Sequence, residues 1–285
     1  MWSVTPDRQA VSEAFARESG HVVGLVRGCP DLAAPVPGLA WTVGQLAAHL
    51  TSVYLAFGET LSGEYRDTGM ECAVAAAGEG VGLARAVAAA NDYAVGVLIA
   101  ADPRSAADAL AAQAALLLEA LAAQQDLGRE RPTPWYGLGT TRRVGALASI
   151  AVTESLVHGR DLARALRADT RMSLSSAVAA TPTLVTTMLP YLLVKSKAKD
   201  LRADYELRLR GCGQRIVVRI ADGAAECFEA DGRDVDCVIS MDPRTALLVG
   251  LGRCSLARAA LTGGVLSAGR KPWLGLRYPS LFAKP

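Results

Sequence analysis

Near residue 204 the apolar pattern of this chain changes period, and that change limits what each side of it can build. Before it, apolar residues recur at helical spacing: Val11, Phe15, Val22, Leu25 and Val26 within residues 6–28, and Val152, Leu156, Val157 and Leu162 within residues 140–166. After it, Tyr205-Glu206-Leu207-Arg208-Leu209-Arg210 alternates strictly, Gln214 to Ile220 is rich in β-branched residues, and Gly211-Cys212-Gly213 lies between them as a turn. A helix lines up every third or fourth side chain and a strand every second, so the two stretches bury different faces. The pattern predicts a helical bundle over residues 1–196 and a small α+β domain over 204–285, linked by the polar stretch Lys195 to Asp204.

Punctuation divides the helical part. Three prolines between Cys29 and Gly38 mark a loop, and Thr42-Val43-Gly44-Gln45 has the spacing of a capping box, which starts a second helix at Thr42. A polar connection from Ser62 to Gly69 leads to two alanine-rich helices, roughly 81–101 and 104–127, broken at Asp102-Pro103. Residues 128–139 read as a loop carrying Trp135 and Tyr136, followed by helices over 140–166 and 174–195, the latter holding Pro182 and Pro190. In the second domain further strands are expected near 225–229, 236–240 and 265–268, with helices opening at Asp242-Pro243 and covering 255–261.

Composition excludes some functions. With 30 basic and 28 acidic residues the formal charge is +2, which gives no field for nucleic acid or an anionic membrane. The most apolar stretch, Ala106 to Ala123, is interrupted by Asp108, Gln113 and Glu119, and reads as a core helix rather than a membrane span. The six cysteines are scattered without a Cys-x-x-Cys pair, and the first residues lack the pattern of a signal peptide. A cytoplasmic protein with reduced thiols is the expectation.

Chemistry concentrates on few residues. The chain has three histidines, His21, His49 and His158. Glu154 and His158 are four residues apart, so at about 100° per residue their side chains leave one helix face a turn apart. Alone, such a pair is more often a surface ion pair, and a lone histidine such as His49 more often a hydrogen-bonded core residue. The apolar neighbours of Glu154 point instead to partial burial, where an unpaired carboxylate is costly and a cation relieves the cost. If the helices of His49 and His158 pack together, His49, Glu154 and His158 form a two-histidine, one-carboxylate site with open coordination positions.

Two groups of residues carry a family resemblance. Trp41-Thr42 with Leu46-Ala47-Ala48-His49-Leu50, followed about a hundred residues on by Glu154-Ser155-Leu156-Val157-His158-Gly159-Arg160-Asp161, resembles the mycothiol-dependent maleylpyruvate isomerase family. In the C-terminal part, Asp242-Pro243, Arg258 to Gly264, Ser267 to Arg270 and Pro279 to Phe282 are similar to the sterol carrier protein-like domain often fused to it. The resemblance implies a DinB-like up-down four-helix bundle with extra helices. It also implies a divalent metal, usually zinc, on His49, Glu154 and His158, and mycothiol as the thiol cosubstrate. Arg160 stands where that family commonly has an aromatic residue.

A thiol ionised by such a metal attacks an electron-poor carbon. With a cis double bond conjugated to carbonyls the outcome is isomerisation, and with a leaving group it is S-transfer. Carboxylates on the small electrophilic substrate or the thiol suit arginine, which makes Arg160, Arg253, Arg258 and Arg270 candidates, and Asp161 can orient an imidazole. Two other readings stay open: a metal-dependent hydrolase on the same ligands, and a non-catalytic protein that binds a metal and an apolar ligand.

Overall fold

The computed structural model describes residues 2–67, 69–78 and 83–284. The chain divides into two compact units, one of Thr5–Ala180 and one of Thr181–Pro285 with Met1–Val4.

The first unit is built on four long helices: α1 (Arg8–Arg27), α2 (Val43–Ser62), α5 (Pro103–Ala122) and α6 (Val144–Ala165). Both α1 and α2 pack on α5 and on α6, the closed square of contacts of a four-helix bundle. Its core holds Phe15, Leu46, Leu50, Tyr54, Leu110, Leu117, Leu147 and Leu162, all without exposed surface. Two shorter helices, α3 (Met70–Ala76) and α4 (Leu83–Leu98), pack on each other, and α4 leans on α2.

Local signals set the helix ends. Thr42 Oγ1 accepts from the Gln45 amide while Gln45 Oε1 accepts from the Thr42 amide, closing the capping box and satisfying two amide donors at the start of α2. Asp102 caps α5 through the amides of Arg104 and Ser105, with Pro103 in the first turn. Helix α5 is long and apolar enough to cross a membrane. Its Ala107, Leu110, Ala114, Leu117 and Leu121 are buried in the bundle, and about a third of its most apolar window is buried in all.

The structure corrects some local expectations. Residues 128–139 are not a plain loop, because β1 (Glu130–Pro132) and β2 (Thr141–Arg143) pair as an antiparallel ribbon around a turn that holds Trp135 and Tyr136. Pairing Arg143 opposite Glu130 keeps residues 141–143 extended, so the helix expected from 140 begins at Val144. Helix α3 was not anticipated in the sequence, and the expected start at 81 of the following helix lies outside the described residues.

Helix α7 (Leu174–Leu192) contains Pro182 and Pro190, and Lys195–Ala198 forms a short helix α8. The second unit is an α+β fold around a five-stranded sheet: β3 (Ala203–Leu209), β4 (Gln214–Ala221), β5 (Ala224–Glu229), β6 (Cys237–Met241) and β7 (Val265–Ala268). The order is β5-β4-β3-β6-β7, antiparallel except for the parallel pair β3/β6. Asp222 and Gly223, with φ of 53° and 71°, make the tight β4–β5 turn that a right-twisted hairpin prefers.

Alternation decides which face of the sheet is covered. Tyr205, Leu207 and Leu209 of β3 and Ile216, Val218 and Ile220 of β4 join Leu274, Tyr278 and Leu281 in one core. The last three come from α11 (Leu274–Arg277) and the turn after it, elements too short to show a period in the sequence. Glu206, Arg208, Arg215 and Arg219 alternate onto the opposite face. Helices α9 (Pro243–Gly250) and α10 (Leu256–Leu261) complete the unit, capped by Asp242 and Ser255.

Candidate metal centre

His49 stands two turns into α2, and Glu154 and His158 stand one turn apart on α6, the helix that packs beside it. The packing brings their polar tips together. His49 Nε2 lies 3.1 Å and His158 Nε2 lies 3.2 Å from the same oxygen, Glu154 Oε2. One ligating atom from each residue falls within 4.8 Å of the others, and this is the group of His, Cys, Asp and Glu among the described residues that fits a metal ion. A tetrahedral zinc with bonds near 2.0–2.2 Å holds its ligand atoms about 3.3 Å apart, so the two short separations match edges of its coordination shell.

Electrostatics suit a cation. Burial pushes the Glu154 carboxyl up, but hydrogen bonds from His158 and His49 outweigh it and hold the group well below the usual carboxylate range. Burial pulls His49 below its ordinary value, with Glu154 opposing, which keeps the imidazole neutral at neutral pH, the form that ligates a cation. Behind His158 lies Asp161, almost wholly buried, with Oδ2 3.2 Å from His158 Nδ1. Without an ion the Nε2 proton of His158 goes to Glu154; an ion there would take the Nε2 lone pair instead, with the ring proton on Nδ1 donated to Asp161, the arrangement that orients and strengthens an imidazole ligand.

Several supporting groups carry no signal of their own in the sequence. Tyr54 on α2 shares a 2.8 Å hydrogen bond with Ser155, the residue after Glu154, and ties the two ligand helices together inside the core. Burial pushes the Tyr54 hydroxyl far up, so it stays a neutral partner. The Trp41 ring lies against His49 at 5.0 Å between centroids, and the two imidazoles meet edge to face at 5.2 Å. Asn91 on α4 lies beside the His49 ring, whose Nδ1 is buried without a hydrogen bond of regular geometry. An asparagine amid Ala88, Ala89, Ala90 and Ala94 is a visible oddity in the sequence, although nothing local says what it faces.

The β1–β2 ribbon reaches the same neighbourhood. Trp135 stacks on Phe57 of α2 at 5.3 Å, and the Tyr136 hydroxyl is pushed up by burial and by the negative charge of Glu154. Arg142, itself buried, sets its guanidinium over the Tyr136 ring at 5.3 Å.

The other expected site residues have different places. Arg160 is half-buried on α6, with Nη1 enclosed. The remaining three belong to the second unit: Arg253 donates to the Leu251 carbonyl, Arg258 is exposed on α10, and Arg270 pairs with Asp236 at 3.2 Å. His21 is exposed on α1, apart from the cluster of His49, Glu154 and His158.

Residues 13–163 match the family described as the mycothiol maleylpyruvate isomerase N-terminal domain. Among solved structures, the mycothiol-dependent maleylpyruvate isomerase is similar at a TM-score of 0.53 and 15% identity, over 92% of this chain and 93% of that one. A histidine-to-alanine mutant of a mycothiol-dependent maleylpyruvate isomerase gives 0.54 and 14% over the same shares. At such identity the likeness is one of fold, and it takes in the helical and α+β regions alike. No curated protein matches the chain. The matched segment exceeds half of the 285 residues, and the chain belongs to the family of the mycothiol maleylpyruvate isomerase N-terminal domain.

Proposed function

We infer that this chain is a metal- and mycothiol-dependent enzyme that adds the thiol sulfur to an electron-poor carbon of a small substrate. Elimination after the addition gives cis-trans isomerisation, and loss of a leaving group gives S-transfer. The observation that carries the inference is the meeting of His49, Glu154 and His158, one ligand atom from each within 4.8 Å of the others and both Nε2 atoms 3.1–3.2 Å from Glu154 Oε2, with Asp161 behind. Family membership supplies the thiol.

A divalent ion at these three residues, when bound, supplies the Lewis acidity that ionises a thiol at neutral pH. Zinc suits two imidazoles and one carboxylate, a set that leaves a coordination position open. The protein's own groups do the rest. Asp161 fixes the tautomer of His158, and the Tyr54–Ser155 bond fixes the spacing of α2 and α6. Trp41 shields one side of His49 from water.

The test is calorimetry of mycothiol binding to the chelator-stripped protein and to the same protein reloaded with zinc. Binding of one equivalent of zinc, and of mycothiol only after zinc, is the expected result. Equal thiol affinity with and without metal, or no zinc uptake, overturns the proposal.

Asp161→Asn is expected to weaken zinc affinity about 10–100-fold, the usual loss when the group orienting a ligand histidine is changed. The amide keeps the shape but accepts the His158 proton less strongly. Competition with a chromophoric chelator measures the change, and an unaltered affinity removes Asp161 from the account.

A further inference from the structure

The outward face of the sheet carries two arginines in an unusual position. Arg208 on β3 and Arg215 on β4 are directly opposed across the antiparallel pair. Opposed side chains of like charge start about 4.5–5.5 Å apart at their β-carbons and repel each other. One carboxylate lies between them: Glu206 Oε1 accepts from Arg208 Nε at 2.7 Å and from Arg215 Nε at 2.6 Å. Glu206 is 4% exposed, whereas the two arginine side chains are about half exposed. Two positive charges thus share one negative charge, and a net positive charge stays on the floor of the groove.

That floor opens into a cleft of about 420 Å³, also lined by Arg233, Asp234 and Arg270. The rim is close to neutral. Arg233 is held by both oxygens of Asp231, and Arg270 and Lys271 share Asp236. Both floor arginines anchor through Nε, which turns the terminal nitrogens of each guanidinium away from that bond. A buried acceptor that orients two forks is the geometry that receives a carboxylate or phosphate group.

We propose that the Arg208–Arg215 cleft of the second unit binds an oxyanion, a single carboxylate or phosphate group, between the two guanidiniums. This site lies wholly within the second unit, and it stands whether or not the metal-thiol reading of the first unit holds. Glu206 acts as a positioning residue, holding the arginines so that they need not be ordered when the ligand arrives.

The full-length protein is titrated with inorganic phosphate and, separately, with succinate, at ionic strength matched with sodium chloride, while amide NMR shifts are followed. Saturable shifts of residues 206–217 are expected with at least one anion, and the tighter of the two identifies the source. Arg208→Gln and Arg215→Gln should each weaken binding about tenfold or more, equivalent to losing one charge-assisted hydrogen bond. Arg219→Gln changes a same-face arginine that pairs with Asp204 and does not line the cleft, and should leave affinity unaltered. The amide spectrum reports folding of each variant, so a misfolded variant is recognised and the other decides. Shifts that chloride reproduces, that fail to saturate, or that Arg219→Gln weakens as much as Arg215→Gln overturn the proposal.

Discussion

His158→Ala is expected to remove stoichiometric zinc from the purified protein and, with it, thiol-dependent turnover. The variant takes away one of three ligand atoms that face each other within 4.8 Å. Changing a group behind a ligand already costs about 10–100-fold in affinity, so losing the ligand itself should cost at least about a thousandfold. It also strips Asp161 of its imidazole partner in a site where that carboxylate is 1% exposed, which destabilises the fold on its own account. His49→Ala separates the two effects, because it breaks the same cluster and leaves the His158–Asp161 contact in place. Both variants should lose zinc, and both should lower the denaturation midpoint of the metal-free protein because each empties the place of a buried imidazole, His158→Ala by more because it also removes the partner of Asp161. Metal analysis after dialysis and a thiol-consumption assay read the outcome. Full retention of zinc by both variants would show that the three side chains do not form one site.

Much of this site was readable in advance, and the reason is geometric. The spacing of Glu154 and His158 on one helix depends only on helical period, and Thr42-Val43-Gly44-Gln45 dictates where α2 starts and hence where His49 falls. The sheet was legible for the same reason, since strict alternation through residues 205–210 leaves one face for the core. What escaped has no period of its own. Three-residue strands such as Glu130–Pro132 and Thr141–Arg143 are too short to show alternation, so the ribbon that places Tyr136 and Arg142 could not be seen. Asn91, Tyr54 and Ser155 act through residues far away in sequence, and their packing partners are decided by how whole helices dock. Arginine partners have no period either: that Arg270 meets Asp236, and that Arg208 and Arg215 face each other across a buried carboxylate, is set by strand register.

Phe15→Ala should produce the largest loss of stability, about 3–5 kcal/mol of the roughly 5–15 kcal/mol that keeps a domain folded. Phe15 on α1 is fully enclosed, and its ring meets Tyr54 edge to face at 5.0 Å between centroids. Truncation leaves a hole against Tyr54, whose hydroxyl must keep its bond to Ser155 or be stranded in the core. The cavity therefore loosens the residue that joins α2 to α6 at the height of Glu154. Zinc that binds the native state alone should restore about 4 kcal/mol when present at a thousand times its dissociation constant, because mass action favours the form that binds. The sign is specific: Phe15→Ala should be strongly destabilised without metal and largely recovered with it, whereas a Phe15→Ala/His49→Ala double variant should show no recovery. Tryptophan fluorescence during urea unfolding follows this in a background where Trp2 and Trp273, which belong to the second unit, are phenylalanine, so that Trp41 and Trp135 report on the bundle. A midpoint shift worth less than about 1 kcal/mol would mean that Phe15 does not carry the packing assigned to it. Metal-dependent recovery that survives loss of His49 would place the stabilising ion somewhere other than between α2 and α6.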